Sequence, residues 1–123
     1  MSTNYPKLAG ELTAHIAELR KGIPETMAGF SMMAAAATAD GILNPKTKEL
    51  IALAIGVAVR CDGCVAFHAK AAERHGASRQ EILETLGMAV YMGGGPSMVY
   101  AAEALAAYDQ FAAEAAGRHL KAG

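Results

Sequence analysis

Asn44-Pro45-Lys46-Thr47-Lys48-Glu49-Leu50-Ile51-Ala52-Leu53-Ala54-Ile55-Gly56-Val57-Ala58-Val59-Arg60 is the stretch that decides how this chain folds. Asn44 suits a helix N-cap, because its side-chain oxygen can accept from a first-turn amide. Pro45 fits the first helical position, where an N–H would be unpaired anyway. The helix is expected to run from Lys46 to about Arg60. Between Glu49 and Arg60 no residue is charged or strongly polar. A helix apolar on nearly all sides is buried, either in the centre of its domain or against another subunit. Glu49 and Arg60 are then the polar ends of a buried rod.

Helical patterns continue on both sides of this stretch. Leu8, Leu12, Ile16 and Leu19 recur at helical spacing and predict a first helix from Leu8 to Arg20, closed by Gly22-Ile23-Pro24. Glu25 to Ala39 predicts a second, with Met27, Phe30, Met33 and Ala34 on one side, ended by the turn signal Asp40-Gly41. After the rod, a fourth helix starts near Asp62 and ends around His75-Gly76, where glycine suits the C′ position. Ser78-Arg79-Gln80-Glu81 has the form of a capping box and opens a fifth helix, with Ile82, Leu83, Leu86 and Val90 as its core face. Gly93-Gly94-Gly95-Pro96 interrupts the pattern before a sixth helix from Ser97 to Ala116 and a short basic tail. No stretch alternates as a strand does. The expectation is an all-α single domain over residues 1–123, with about six helices and its core in about 45–107.

Composition narrows the functional classes. Of the 123 residues 53% are apolar but only 6% aromatic, which favours a helix bundle over a sandwich. Charged residues are 19%, below the usual quarter, so the chain has little polar surface and a buried subunit interface is expected. Eleven basic residues against twelve acidic ones form no phosphate-tracking footprint, so no nucleic-acid partner is expected. The apolar run Leu50 to Val59 is far shorter than the roughly 20 residues a membrane span needs. Met1-Ser2-Thr3-Asn4-Tyr5-Pro6 lacks a basic patch followed by an apolar core, so the expected compartment is the cytoplasm. Two cysteines in a reducing compartment are there for chemistry more often than for structure.

The chemistry is concentrated in Arg60-Cys61-Asp62-Gly63-Cys64-Val65-Ala66-Phe67-His68. At 100° per residue, with Cys61 at zero, Cys64 falls near about 300° and His68 near about 340°, one face of one helix. The cysteines are close enough in sequence for a disulfide if the helix N-terminus cooperates. His68 lies one turn after Cys64 and can reach its sulfur. Unpaired N–H groups and the partial positive charge of a helix N-terminus favour a thiolate, and an imidazole can take the thiol proton. A thiolate attacks peroxides and disulfides, and a second cysteine traps the sulfenic acid before overoxidation. Glu49 precedes Cys61 by twelve residues. If the two helices run antiparallel, its carboxylate can orient His68 and relay its proton.

Glu49-x11-Cys61-x2-Cys64-x3-His68 resembles the signature of the alkyl hydroperoxidase D family, within the carboxymuconolactone decarboxylase-like superfamily. Lys48-Glu49-Leu50-Ile51-Ala52-Leu53-Ala54 is similar to that family's central helix. His68-Ala69-Lys70-Ala71-Ala72 and Gly76-Ala77-Ser78-x-x-Glu81-Ile82 match its flanks, so the likeness covers about Pro45 to Ala107. The resemblance implies an all-helical fold assembled into homo-oligomers, commonly trimers or hexamers. It implies peroxide reduction by thiols, with no haem, flavin or metal, and an as yet unidentified thiol or disulfide electron donor. It casts Cys64 as the peroxidatic cysteine, Cys61 as the resolving one, and His68 and Glu49 as the proton relay. Asp62-Gly63 stands where some members carry a histidine, and an acidic neighbour of Cys61 opposes thiolate formation.

Other readings of the same residues compete. Two thiolates, an imidazole and a carboxylate form a valid tetrahedral zinc set, but this spacing on one short helix is cramped and the second cysteine pair of a zinc ribbon is absent. The superfamily's lactone decarboxylases lack the cysteine pair, yet a pocket for a small organic acid with regulatory cysteines keeps the same fold. A non-catalytic oligomeric redox sensor is a third reading. Gly93-Gly94-Gly95-Pro96 lacks the Lys-Ser/Thr of a phosphate loop and reads as a helix break. Tyr91 and Tyr100 flank it as packing residues. His15, His75 and His119 have no partner pattern and read as surface residues.

Overall fold

The computed structural model describes residues 2–122 and is all-helical, with no strand among the described residues. Six helices follow one another: α1 (Tyr5–Gly22), α2 (Pro24–Thr38), α3 (Pro45–Ala58), α4 (Asp62–Arg74), α5 (Arg79–Gly93) and α6 (Gly95–Ala122). α3 and α4 form the central antiparallel pair. α6 lies along α4 and α5, and α1 crosses the N-terminal end of α4.

The helix ends follow local chemistry. The Asn44 side chain accepts from Thr47 N at 2.8 Å, as the N-cap reading requires. The Ser78 capping box is complete: Ser78 Oγ accepts from Glu81 N at 3.1 Å, and Glu81 Oε1 accepts from Ser78 N at 2.9 Å. α1 starts earlier than the apolar spacing predicts, because Asn4 Oδ1 accepts from Lys7 N at 3.0 Å and Pro6 stands in the first turn. α6 is also longer than expected. It begins at Gly95 and absorbs the supposed basic tail, since the one poor helix former between Ala112 and Lys121 is Gly117, a cost of about 1 kcal/mol that the flanking alanines offset.

Three of these helices end on a left-handed residue. At the end of α4, Gly76 has φ +85°, with Gly76 N bonded to Glu73 O at 3.0 Å and Ala77 N to Ala72 O at 2.9 Å. At the end of α5, Gly94 has φ +73°. The end of α3 repeats the α4 pattern, with Arg60 N bonded to Val57 O at 3.2 Å and Cys61 N to Gly56 O at 3.0 Å. There the left-handed residue is Arg60, at φ 59°. A side chain in that conformation costs about 1 kcal/mol relative to glycine.

The core is built from Leu53 and Val57 of α3, Val65 and a row of alanines on α4, Ile82 and Leu86 of α5, and Phe111 with further alanines on α6. Small residues on α4 and α6 let their axes come close, and a buried leucine such as Leu53 stabilises by about 1.5–3 kcal/mol. Tyr108 OH donates to Ala77 O at 2.8 Å and ties the α4–α5 turn to α6. Burial, and then the Glu73 and Asp109 carboxylates, raise its phenol above the usual range. Gln110 clamps the N-terminal segment: its Oε1 accepts from Tyr5 N at 2.8 Å and its Nε2 donates to Thr3 O at 3.0 Å.

Three expectations about faces need correcting. α2 has no buried residue, and Phe30 and Met33, expected on an inward side, face solvent while Met27 and Ala34 are half-buried. α3 is not buried all round either. Leu53 and Val57 point inward, but Ile51, Ile55 and Val59 form an exposed stripe one helical turn apart. On α5, Leu83 turns outward while Ile82 and Leu86 are buried. No helix among the described residues is long and apolar enough to cross a membrane.

Candidate active site

Cys61 is the N-cap of α4, in extended backbone at φ −109° and ψ 101°. Its sulfur accepts from Cys64 N at 3.2 Å, the place a serine or aspartate oxygen takes in an ordinary N-cap. Cys64 sits in the first turn of α4, 5.1 Å from Cys61 between Cα atoms, and the two are joined as a disulfide. The close spacing at a helix start, expected from the sequence to permit this bond, therefore does so through the N-cap rather than through two residues both inside the helix.

His68 is one turn further along α4. Its Nδ1 is 2.7 Å from Oε2 of Glu49, across the α3–α4 hairpin. The Glu49 side chain is 10% exposed and that of His68 33%. The carboxylate thus fixes the ring and directs its other nitrogen, Nε2, away from α3. A buried carboxylate needs such a partner, because unpaired it would carry a large desolvation cost. The structure brings all four sequence-predicted residues, Glu49, Cys61, Cys64 and His68, to the one helix pair.

Two glycines let neighbouring helices come this close to the first turn of α4. A Cβ on Gly56 would stand 3.1 Å from Cys64 Cβ, so α3 can lie against the first turn of α4 only without a side chain there. A Cβ on Gly63 would stand 3.0 Å from Leu12 Cδ1, where α1 covers the same turn. Neither contact was read from the sequence. A lone glycine inside an apolar helix is a signal of close backbone approach, and Gly56 carried it.

Other residues weighed in the sequence fall elsewhere. His15, His75 and His119 are exposed, as expected. Tyr91 is 79% exposed rather than packed, and Tyr100 is half-buried. The Gly93–Gly95 segment is the α5–α6 turn. Among the described residues no group of three His, Cys, Asp or Glu side chains is arranged to hold a metal ion. A polar surface depression of about 790 Å³ lies by Thr3, Lys7, Gln110 and Glu114, and an apolar one of about 290 Å³ between α3 and α5 is lined by Leu50, Ile51, Ala54 and Met88. Neither includes the cysteines. Cys61, Cys64 and His68 are each partly exposed.

Residues 24–107 match the carboxymuconolactone decarboxylase family, and the chain belongs to it. An uncharacterized protein of Cupriavidus necator is 40% identical over 109 residues, covering 89% of this chain and 96% of the relative. A second uncharacterized protein, encoded in the cox locus of Paracoccus denitrificans, is 39% identical over 72 residues, covering 58% of this chain and 65% of the relative. Among solved structures, the apo form of a carboxymuconolactone decarboxylase family protein from Legionella pneumophila superposes with a TM-score of 0.86 at 54% identity. That match covers 88% of this chain and 96% of the other.

Proposed function

We propose that the protein is a cofactor-free thiol peroxidase or disulfide oxidoreductase of the alkyl hydroperoxidase D type, serving antioxidant defence. The reading rests on one observation above all: a Glu49–His68 pair at 2.7 Å stands one turn from a disulfide-forming cysteine pair at a helix N-terminus. In the reduced protein His68 takes the Cys64 proton. The Cys64 thiolate attacks a peroxide oxygen, an S–O bond forms, the O–O bond breaks, and the departing alkoxide takes a proton to leave as alcohol. Cys61 then attacks Cys64 Sγ, forming the disulfide and releasing water. Two thiol equivalents from a donor return both cysteines to the reduced state. The chain's compartment in this reading is the cytoplasm, where such donors are kept reduced.

The test is mass spectrometry after one equivalent of cumene hydroperoxide, on protein first reduced. Wild type is expected to give the Cys61–Cys64 disulfide, Cys61→Ser a sulfenic acid trapped by dimedone, and Cys64→Ser neither. Unchanged peroxide consumption by Cys64→Ser overturns the assignment.

Family membership itself favours a second reading, a decarboxylase-like enzyme acting on a small lactone or organic acid, with the cysteines regulatory. Lactone turnover retained by a double Cys→Ser protein would select it. In both readings the chain works as a homo-oligomer, a trimer or hexamer. This is supported by the exposed Ile51, Ile55 and Val59 stripe and by α2, whose Phe30, Met32 and Met33 are each at least 60% exposed. Light scattering in solution checks it, and a monomer at micromolar concentration refutes it.

A further inference from the structure

Arg60 occupies a position that this chain fills with glycine elsewhere. The same pair of backbone bonds closes α3 and α4, and the left-handed residue is Gly76 in one and Arg60 in the other. Gly94 takes a left-handed conformation at the end of α5 as well. The backbone at Arg60 therefore favours glycine, and an arginine is held there against that preference. Its side chain does not repay this by packing: Arg60 is exposed and takes part in none of the ion pairs among the described residues. What distinguishes the position is its neighbour, because Arg60 leads directly into Cys61, the N-cap half of the disulfide.

A cation on that side of the redox pair acts on whatever approaches Cys61. Asp62, the residue after Cys61, is acidic and exposed, and behind burial and Glu103 it helps raise the phenol of Tyr5. We infer that Arg60 is a recognition residue for the electron donor, and that the donor is a thiol carrying an anionic group such as a carboxylate. This rests on the redox reading above. The donor thiolate attacks Cys61 Sγ, an S–S bond forms to the donor, and the Cys61–Cys64 bond breaks with its electron pair going to Cys64. Cys64 takes a proton from His68 or remains a thiolate. A second donor thiolate then attacks the donor sulfur of the mixed disulfide, freeing Cys61 and leaving as oxidised donor disulfide. The guanidinium is suited to this because it pairs with a carboxylate through two parallel N–H bonds.

The experiment measures second-order rates for reduction of the Cys61–Cys64 disulfide by 3-mercaptopropionate, 2-mercaptoethanol and cysteamine. Each rate is corrected for its thiolate fraction and read by alkylation and mass spectrometry. Wild type is expected to favour the anionic thiol over the cationic one, and to lose that preference as salt rises. In Arg60→Gly the anionic-to-cationic ratio is expected to fall about threefold, the size of an exposed ion pair. Arg60→Gln is expected to fall with it and Arg60→Lys to recover part of the ratio. Arg60→Gly should melt no lower than wild type, since glycine suits the backbone, which separates loss of recognition from loss of fold.

An unchanged ratio in both Arg60→Gly and Arg60→Gln overturns the proposal. So does an equal slowing with all three thiols, which would place the charge on the sulfur chemistry rather than on the donor. A change in preference between a carboxylate-bearing hydroperoxide and cumene hydroperoxide, with thiol preference intact, also overturns it, because the charge would then read the oxidant. If none of the thiols reduces the wild-type disulfide, the redox reading itself fails and takes this inference with it.

Discussion

Glu49→Gln removes one charge from the site while keeping the shape of the side chain and an oxygen that can accept from His68 Nδ1. The carboxylate now lies 2.7 Å from that nitrogen. A hydrogen bond to a charged group contributes about 1.5–3 kcal/mol and a neutral one about 0.5–1.5, so the protonated ring loses roughly 1.5 kcal/mol of support. That is about tenfold in rate, if the ring carries the thiol proton when Cys64 attacks. The larger figures seen for buried relays do not apply, because the His68 side chain is 33% exposed and water screens part of the charge. Glu49→Ala removes orientation as well, and its expected loss is about a hundredfold, the lower end of general acid–base effects. The assay is single-turnover oxidation of pre-reduced protein by cumene hydroperoxide in stopped flow, which needs no donor. Thermal melts accompany it, with Glu49→Gln expected within about 1 kcal/mol of wild type. Rates within twofold of wild type for both variants would refute the relay and leave Glu49 as a packing residue that happens to touch the imidazole.

Four other variants test the scaffold. Gly93→Ala drives a Cβ into the Ser97 side chain, so it should destabilise by about 1–3 kcal/mol in chemical denaturation, whereas Ser97→Ala removes a buried hydroxyl with no partner among the described residues and should be neutral or stabilising. Tyr108→Phe leaves the Ala77 carbonyl unpaired and should cost about 1–2 kcal/mol; equal melting would show that water replaces the hydroxyl. Lys46 Nζ, 2.8 Å from Glu81 Oε2, and the Ser78 amide hold the Glu81 carboxyl below its usual range. Its contribution is thus complete above the unfolded pKa and is lost as pH falls through the lower folded one. Glu81→Gln should flatten the acid limb of the stability profile, lowering stability at neutral pH, where that contribution is complete, and matching wild type once pH is below the folded pKa.

The parts of this structure that were legible in the sequence are those that local chemistry decides. Asn44-Pro45 and the Ser78–Glu81 box set their helix starts within a residue, since caps need only near neighbours. The cysteine pair and His68 share one helix, so their spacing alone placed them together. Glu49 is on another helix, and its meeting with His68 depended on how tightly two rods pack, which Gly56 controls from seven residues away. α2 was misread for a different reason. Its apolar side chains gave the right helix but the wrong face, because periodicity assumes that a partner lies within the same chain, and here Phe30 and Met33 meet none. Arg60 was read as one polar end of a buried rod. Nothing in a residue type announces a left-handed backbone when the residue is not glycine or asparagine.

The Gln110 clamp has a consequence for the order in which the molecule matures. Its partners are Thr3 and Tyr5, more than a hundred positions earlier in the chain. While the protein is being synthesised, α3, α4 and α5 can associate through contacts of short sequence separation. α1 gains its last anchor only after most of α6 has left the ribosome. Until then the packing of α1 on α4 and α2 alone holds Leu12 over Gly63 in the first turn of α4. The helix that covers the cysteine turn is therefore tied down last, by a residue made long after the cysteines themselves.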